Sequence, residues 1–347
     1  MQTTKTFKIN PENVKNILIV RQHHQIGDML CALPMYAAVR KKFPHSRITL
    51  VASPYNGKIL QGTTGEYIDN ILIYDKKSML SLIRFTNKIL SSRFDVCIVP
   101  STASISRTSH IICRLSGAAY RVGVNSIEGK QNRSAGYLNI KSDFGWNIQK
   151  KHQTERNLDI VRQLGCDFSY EEISLVKLEI QKKENMFAED FFGKNFQGKT
   201  NVAAFHPGAG KPQNRWSAEN FTALIEKVHN NYGMNILLTP GPGDLPLTNK
   251  IIKELEKRNI PALAPVLQVN KLSAVLKKVA VYVSNDTGPM HIAGYVGANV
   301  IGLFGPTHSY EWGPVNRNGM FIQSENDDIN KITVNEVFRA VEKYLKK

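Results

Sequence analysis

At 347 residues, with 42% hydrophobic and 21% charged side chains, the chain is long enough for two ordinary domains and is neither disordered nor fibrous in composition. No apolar run reaches the roughly 18–20 residues of a membrane span, and the opening MQTTKTFKINPENVKN lacks an apolar signal core, which argues against secretion. The formal net charge of +16 is concentrated in residues 1–175, where 24 Lys and Arg stand against 13 Asp and Glu, compared with 21 against 16 in the remainder; such a field favours anionic partners.

In chain order, the apolar strand NILIV comes first, then a polar loop ending in Ile26-Gly27-Asp28, and then one expected helix, DMLCALPMYAAVRKKF. A carboxylate at that turn is either a helix cap or a base beside a cleft. The strand RITLVAS follows. Next comes SMLSLIRFTNKILSSRF, which mixes Leu80, Ile83, Phe85 and Leu90 with Arg84, Lys88 and Arg93. A basic amphipathic helix of this kind can rest on an anionic membrane, though more often it packs on a sheet. The strand FDVCIVP leads through a loop to RTSHIICRLSGA and then YRVGVN, and this stretch carries Arg107, Arg114 and Arg121. Of the three, Arg107 is best placed, after a strand, to meet an anionic ligand. HQTERNLDIVRQLG is helical and precedes a mixed, charged stretch. The βαβα rhythm predicts a parallel sheet covered on both faces.

A second series of the same rhythm starts near residue 200, so two domains are expected, at 1–175 and 176–347. NVAAFHP is followed by the Gly-rich loop PGAGKPQNRW, which offers Gly210, Lys211 and Arg215 to an anion such as a diphosphate. Ser217 and Gly233 bracket the next helix as N-cap and stop. NILLTPGPGD ends on Asp244, a ribose acceptor or a local cap. VYVSND leads into Asp286-Thr287-Gly288-Pro289 and a helix bearing His291. Free N–H groups and the dipole make such a helix start an anion site, with Thr287 and Gly288 closest; the alternative is an ordinary capped helix. The terminal TVNEVFRAVEKYLKK opens on a capping box, Thr333 with Glu336. In open α/β sheets ligands bind at the carboxyl ends of the strands, where these loops lie. The four cysteines are scattered without metal-ligand spacing and fit a reduced, cytoplasmic compartment. No acidic pair or His cluster calls for a metal, and no G-x-G-x-x-G follows the first strand, which disfavours a dinucleotide oxidoreductase. No nucleic-acid motif accompanies the charge.

Four stretches together carry a resemblance: IGDMLCALP, HPGAGKPQNRWSAENF, LLTPGPGD and VSNDTGPMHIAGYVGANVIGLFGPTHSYEWGP. From about Ile17 to Pro314 the chain resembles glycosyltransferase family 9, the ADP-heptose:lipopolysaccharide heptosyltransferases. The resemblance implies a GT-B fold: two Rossmann-like, doubly wound domains facing a central cleft, with the acceptor on the first and the nucleotide-sugar on the second. It implies inverting transfer of heptose from ADP-heptose to the lipopolysaccharide inner core (Kdo or heptose), with no cofactor and no metal. The acceptor would be an anionic lipid-linked glycan, so a cytoplasmic enzyme would make peripheral contact with the inner membrane.

Residue by residue, the resemblance makes Asp28 the catalytic base and gives phosphate contacts to Thr287 and Gly288. Gly210, Lys211, Arg215, Asp244, Asp286 and His291 fall at donor-site positions, and Arg107 is expected to meet the acceptor. Many family members read Lys-Arg-Trp where this chain reads Asn214-Arg215-Trp216. The usual diphosphate lysine is therefore replaced, with Arg215 or Lys211 the substitute. The alternatives are another nucleotide-sugar or glycan acceptor, or a sugar-nucleotide epimerase of GT-B-like fold.

Overall fold

The computed structural model describes residues 6–63 and 66–346 and divides into two compact units, Met1–Val176 and Lys177–Lys347. Unit 1 starts with strand β1 (Asn16–Val20), helices α1 (Ile26–Leu30) and α2 (Leu33–Lys42), β2 (Arg47–Ala52), α3 (Pro54–Ile59) and β3 (Asn70–Ile73). It continues with α4 (Met79–Ser91), β4 (Val96–Ile98), α5 (Arg107–Leu115), β5 (Tyr120–Ile127), β6 (Lys130–Gln131), β7 (Ile140–Phe144), α6 (Gln153–Arg162) and α7 (Tyr170–Leu175). Its sheet runs in the order β3-β2-β1-β4-β5; β7 adds to β5 in parallel, and the short β6 pairs with β5 antiparallel.

The expected single helix after β1 is two. Pro34 sits in the first turn of α2. It has no N–H to give the preceding turn, and its ring would clash with the carbonyl four residues back. The chain therefore restarts at Leu33 and leaves α1 as a separate turn carrying Asp28. On one sheet face α4 and α5 close a core with β1 and β4, formed by Leu18, Val20, Phe85, Ile89, Cys97 and Ile112 among others. Here α4 turns Phe85 and Ile89 inward while Leu80, Ile83 and Leu90 stay exposed. The segment thus packs on the sheet and still shows an apolar outer face. α2 packs with α6.

Unit 2 begins with α8 (Lys182–Phe196), β8 (Val202–His206), α9 (Ala218–Tyr232), β9 (Asn235–Leu238), α10 (Leu245–Glu256), β10 (Ala262–Leu263) and α11 (Val269–Leu276). It closes with β11 (Val281–Asn285), α12 (Gly288–Tyr295), β12 (Val300–Phe304), α13 (Ser309–Trp312), β13 (Gly319–Gln323) and α14 (Val334–Leu345). Its six strands are all parallel, in the order β10-β9-β8-β11-β12-β13. The strands β8, β11 and β12 are buried along their whole length, as a sheet covered on both faces requires.

Helix ends follow the expected chemistry. Ser217 accepts the Asn220 N–H, Gly233 ends α9 at φ 58°, and Thr333 with Glu336 closes both halves of a capping box. All four cysteines lie in the core. Among the described residues no helix is long and apolar enough to cross a membrane.

Candidate active site

Arg21 is the first residue past β1, and its side chain is 5% exposed. A buried guanidinium needs acceptors on every side it can reach. One Nη donates to the Pro100 carbonyl at 2.7 Å and to Asn157 Oδ1 of α6 at 2.9 Å; the other reaches Asp28 Oδ1 at 3.4 Å. Asp28 lies in the first turn of α1, whose N-cap is Gln25. Its carboxylate is therefore not the cap. It stands 24% exposed, with one oxygen toward Arg21. His23, in the same loop, has its pKa pushed below the ordinary histidine value by burial and then by Arg21, with Asp28 opposing.

The Asp28 loop is tied to the loop after β4: Gln22 Nε2 donates to Ser106 Oγ at 3.1 Å. Ser106 also caps α5, so Arg107 begins that helix at the carboxyl edge of the sheet. There it lines a groove of about 1310 Å³ with Lys130, Arg133, Tyr137, Ile105 and Ile127. The other two arginines of the segment do not join it. Arg121 donates to the carbonyls of Tyr137 and Ala118, and Arg114 is exposed at the far end of α5. Lys130 opens β6 of the β5–β6 hairpin, whose turn residues Glu128 and Gly129 both have positive φ (50° and 76°), and Arg133 lies just beyond β6. Glu128 is fixed there by accepting the backbone N–H groups of Trp146 and Asn147.

In unit 2 four post-strand loops converge. The buried Asn285, at the end of β11, donates to the carbonyls of Pro207 and Gly208 and accepts the Trp216 N–H. That holds the whole Gly-rich loop against the strand. Gly208 must be glycine, because a Cβ there would lie 2.2 Å from Asp244 Cγ. Asp244 itself accepts the Gly241 N–H at 3.0 Å, so it closes its own turn and abuts the neighbouring loop. Arg215 donates through Nε and Nη2 to the Ala209 carbonyl, folding back on the loop that carries it. Gly210 and Lys211 are exposed at the loop tip.

Asn214, at the position where the resemblance led us to expect a lysine, donates to Thr307 Oγ1 at 2.8 Å. The same hydroxyl is hydrogen-bonded to Asp286. Burial raises the Asp286 carboxyl to about 6; the Thr307 bond and Lys211 work against that rise and Glu311 adds to it. Thr287 is the N-cap residue of α12 and makes no side-chain capping bond. Its hydroxyl instead meets Ser284 Oγ and the Asn285 carbonyl, leaving the cap position above Gly288 unclosed by its own side chain. His291, one turn in, is buried with its ring edge-on to Trp312 at 6.1 Å.

A parallel α/β sheet in each unit, cationic and carboxylate groups at the strand carboxyl ends, and a helix start aimed from one of those ends are features a nucleotide-sugar enzyme requires. The family model for glycosyltransferase family 9 (heptosyltransferase) matches residues 83–340. The chain belongs to glycosyltransferase family 9. It is similar to lipopolysaccharide heptosyltransferase 3 of Escherichia coli K12, 24% identical over 301 residues that span 84% of this chain and 83% of that one. Its fold matches a family 9 glycosyl transferase from Veillonella parvula at TM-score 0.81, 19% identity and coverage of 96% and 97%. It also matches the E. coli heptosyltransferase WaaC with ADP at TM-score 0.72, 17% identity and coverage of 95% and 99%. This family 9 chain is thus a glycosyltransferase of GT-B architecture.

Sequence reasoning passed over Arg21, Asn285, Lys130 and Arg133. Arg21 had a usable signal, a charged residue directly after an apolar strand. Lys130 and Arg133 follow a Glu-Gly hairpin turn, a signal that could have placed them near it. Among the described residues no group of three or more His, Cys, Asp or Glu is placed to hold a metal ion.

The raised Asp286 pKa has a stability consequence of definite sign. Between about pH 4 and 6 the native family 9 chain keeps a proton that the unfolded chain releases, so stability falls as pH rises through that window. Asp286→Asn removes the charge and keeps the shape. It should stabilise unit 2 by about 1–3 kcal/mol near pH 7.5 and by little near pH 4. Denaturant midpoints of wild type and variant at the two pH values test this; a gain independent of pH means that Asp286 is not the titrating group.

Proposed function

We propose that this glycosyltransferase is a metal-independent, inverting heptosyltransferase that moves heptose from ADP-heptose to the Kdo or heptose of an anionic, lipid-linked lipopolysaccharide core. Unit 1 takes the acceptor and unit 2 the donor. The observation that carries the reading is the state of Asp28: a half-buried carboxylate in a helix's first turn, not used as a cap, with one oxygen toward a buried arginine. Family membership favours transfer over epimerisation, and two of the relatives named above are heptosyltransferases, one of them solved with ADP. The enzyme would work in the cytoplasm, meeting its acceptor at the inner membrane.

In this mechanism Asp28 accepts the proton of an acceptor hydroxyl as that oxygen attacks the anomeric carbon of the donor. The bond from that carbon to the ADP oxygen breaks on the opposite side, which inverts the centre. Arg21 orients the carboxylate. Negative charge gathers on the leaving diphosphate, where Lys211 and the start of α12 at Thr287 and Gly288 would stabilise it. Lys211 is the better replacement for the absent lysine, because Arg215 already spends two donors on Ala209. Arg107, Lys130 and Arg133 would meet the anionic groups of the acceptor.

Three measurements bear on this. Asp28→Asn keeps size and helix compatibility but loses the proton acceptor. Turnover should fall by roughly 10²–10⁴-fold with ADP affinity nearly unchanged, and the melting temperature should drop only by what loss of the Arg21–Asp28 attraction costs; near-normal turnover would remove Asp28 from the mechanism. Lys211→Ala should weaken ADP binding by about 1–3 kcal/mol without loss of stability. Arg215→Ala should instead lower the melting temperature along with affinity, and unchanged ADP binding in Lys211→Ala would return the cation role to Arg215. Transfer should continue in EDTA; abolition by EDTA with recovery on adding magnesium or manganese overturns the metal-free scheme.

A further inference from the structure

The outer face of α4 and α5 has no role in the site described above. Met79, Ile83 and Leu90 fall at i, i+4 and i+11 of α4, which is one side of a helix. They are 74%, 51% and 59% exposed. The neighbouring α5 exposes Ile111 and Leu115 on the side that also carries Arg107 and Arg114. Both helices bury their other sides in the same core under the same sheet face, so their outer sides form one surface.

The same surface is basic. Arg84, Arg107 and Arg114 are exposed on it, and between Lys76 and Ile127 the sequence holds a single acid, Asp95. Asp95 is turned to the opposite end of the sheet, accepting the N–H groups of Lys15 and Asn16 at the start of β1. Neither α4 nor α5 contains an acidic residue. Arg84 is exposed on the outer side of α4, with Leu80 between it and the aliphatic stripe, and Lys88 is exposed on the far edge.

We infer that the α4–α5 face docks on an anionic phospholipid bilayer, its aliphatic side chains entering the interface and its arginines and lysines meeting lipid phosphates. Two other occupants fit less well. A second copy of the same face would bring like charges together without acids to offset them. A nucleic acid would use the cations but gain nothing from exposed Met, Ile and Leu, and neither helix offers an aromatic residue to stack on outside the core. Continuity adds to the argument, since Arg107 opens α5 and also lines the cationic groove. The docked face would therefore hold that groove at headgroup depth. The inference rests on the lipid-linked acceptor proposed above, but its test measures no transfer.

The test is sedimentation of the full chain with vesicles of phosphatidylethanolamine and phosphatidylglycerol, with phosphatidylcholine vesicles as control. Wild type should bind the anionic vesicles, less so at high salt, and bind the neutral ones weakly. The double variants Arg84→Glu/Arg114→Glu and Ile83→Glu/Leu90→Glu should each lose roughly 30-fold or more in partitioning. Both change exposed residues and should keep the wild-type melting temperature and transfer to a soluble, delipidated acceptor. The inference is overturned if wild type does not sediment with anionic vesicles, or if folded variants sediment as well as wild type. It is also overturned if the same substitutions abolish a wild-type dimer or single-stranded DNA binding and leave vesicle binding intact. Vesicle binding together with no transfer to any core-type acceptor would sink the functional reading and leave the docking surface standing.

Discussion

A full positive charge with almost no access to water is the constraint around which unit 1 is arranged. Taking a guanidinium out of water costs several kcal/mol unless its donors are met. Arg21 meets its two Nη groups with the Pro100 carbonyl beyond β4, Asn157 on α6 and Asp28 on α1, while its buried Nε has no partner. Three separate elements are thereby pinned to the end of β1. The cost also explains why the carboxylate is where it is: remove it, and the guanidinium loses its one anionic partner. Arg21 and Asp28 thus support each other, and the carboxylate keeps part of its surface open to solvent.

Unit 2 solves the analogous problem with a neutral side chain. Asn285 binds two carbonyls and one N–H of the Gly-rich loop. An amide can satisfy both kinds of backbone group at once, which a lysine or aspartate cannot. With the loop stapled at its root, its tip is left to Gly210 and Lys211. The chain from Asn214 through Thr307 to Asp286 then joins three loops with one hydroxyl at its centre. Asn214 thus serves as a structural donor, and Lys211 stays exposed at the loop tip.

Much of this was readable from residue order. Alternating apolar strands and amphipathic helices announced two parallel sheets, and the caps at Ser217, Gly233 and Thr333 sit where their side-chain chemistry put them. The loops after the strands could be named because parallel sheets leave ligand sites at those ends. What could not be read were partnerships over long sequence distances. Arg21 is 136 residues from Asn157, and Asn285 is 77 residues from Gly208. Local pattern contains no term for such pairs. The break before Pro34 was missed for a different reason: the apolar periodicity runs through it, and the proline was outvoted. Of the basic residues, Arg107 was found because it follows a strand, whereas Lys130 and Arg133 needed the hairpin to bring them round.

That hairpin has an implication for selectivity. Charged side chains on a mobile loop can chase many anions, and each capture orders the loop anew, at about 1–2 kcal/mol for every backbone residue fixed. Lys130 and Arg133 stand instead beside a two-residue turn whose Glu128 is already anchored to the backbone of Trp146 and Asn147. The backbone that carries Lys130 is thus ordered before any ligand arrives. A preorganised pair of cations rewards only a partner whose anionic groups stand at the matching separation. A groove edged in this way would separate anionic ligands by the distance between their charges as well as by their number.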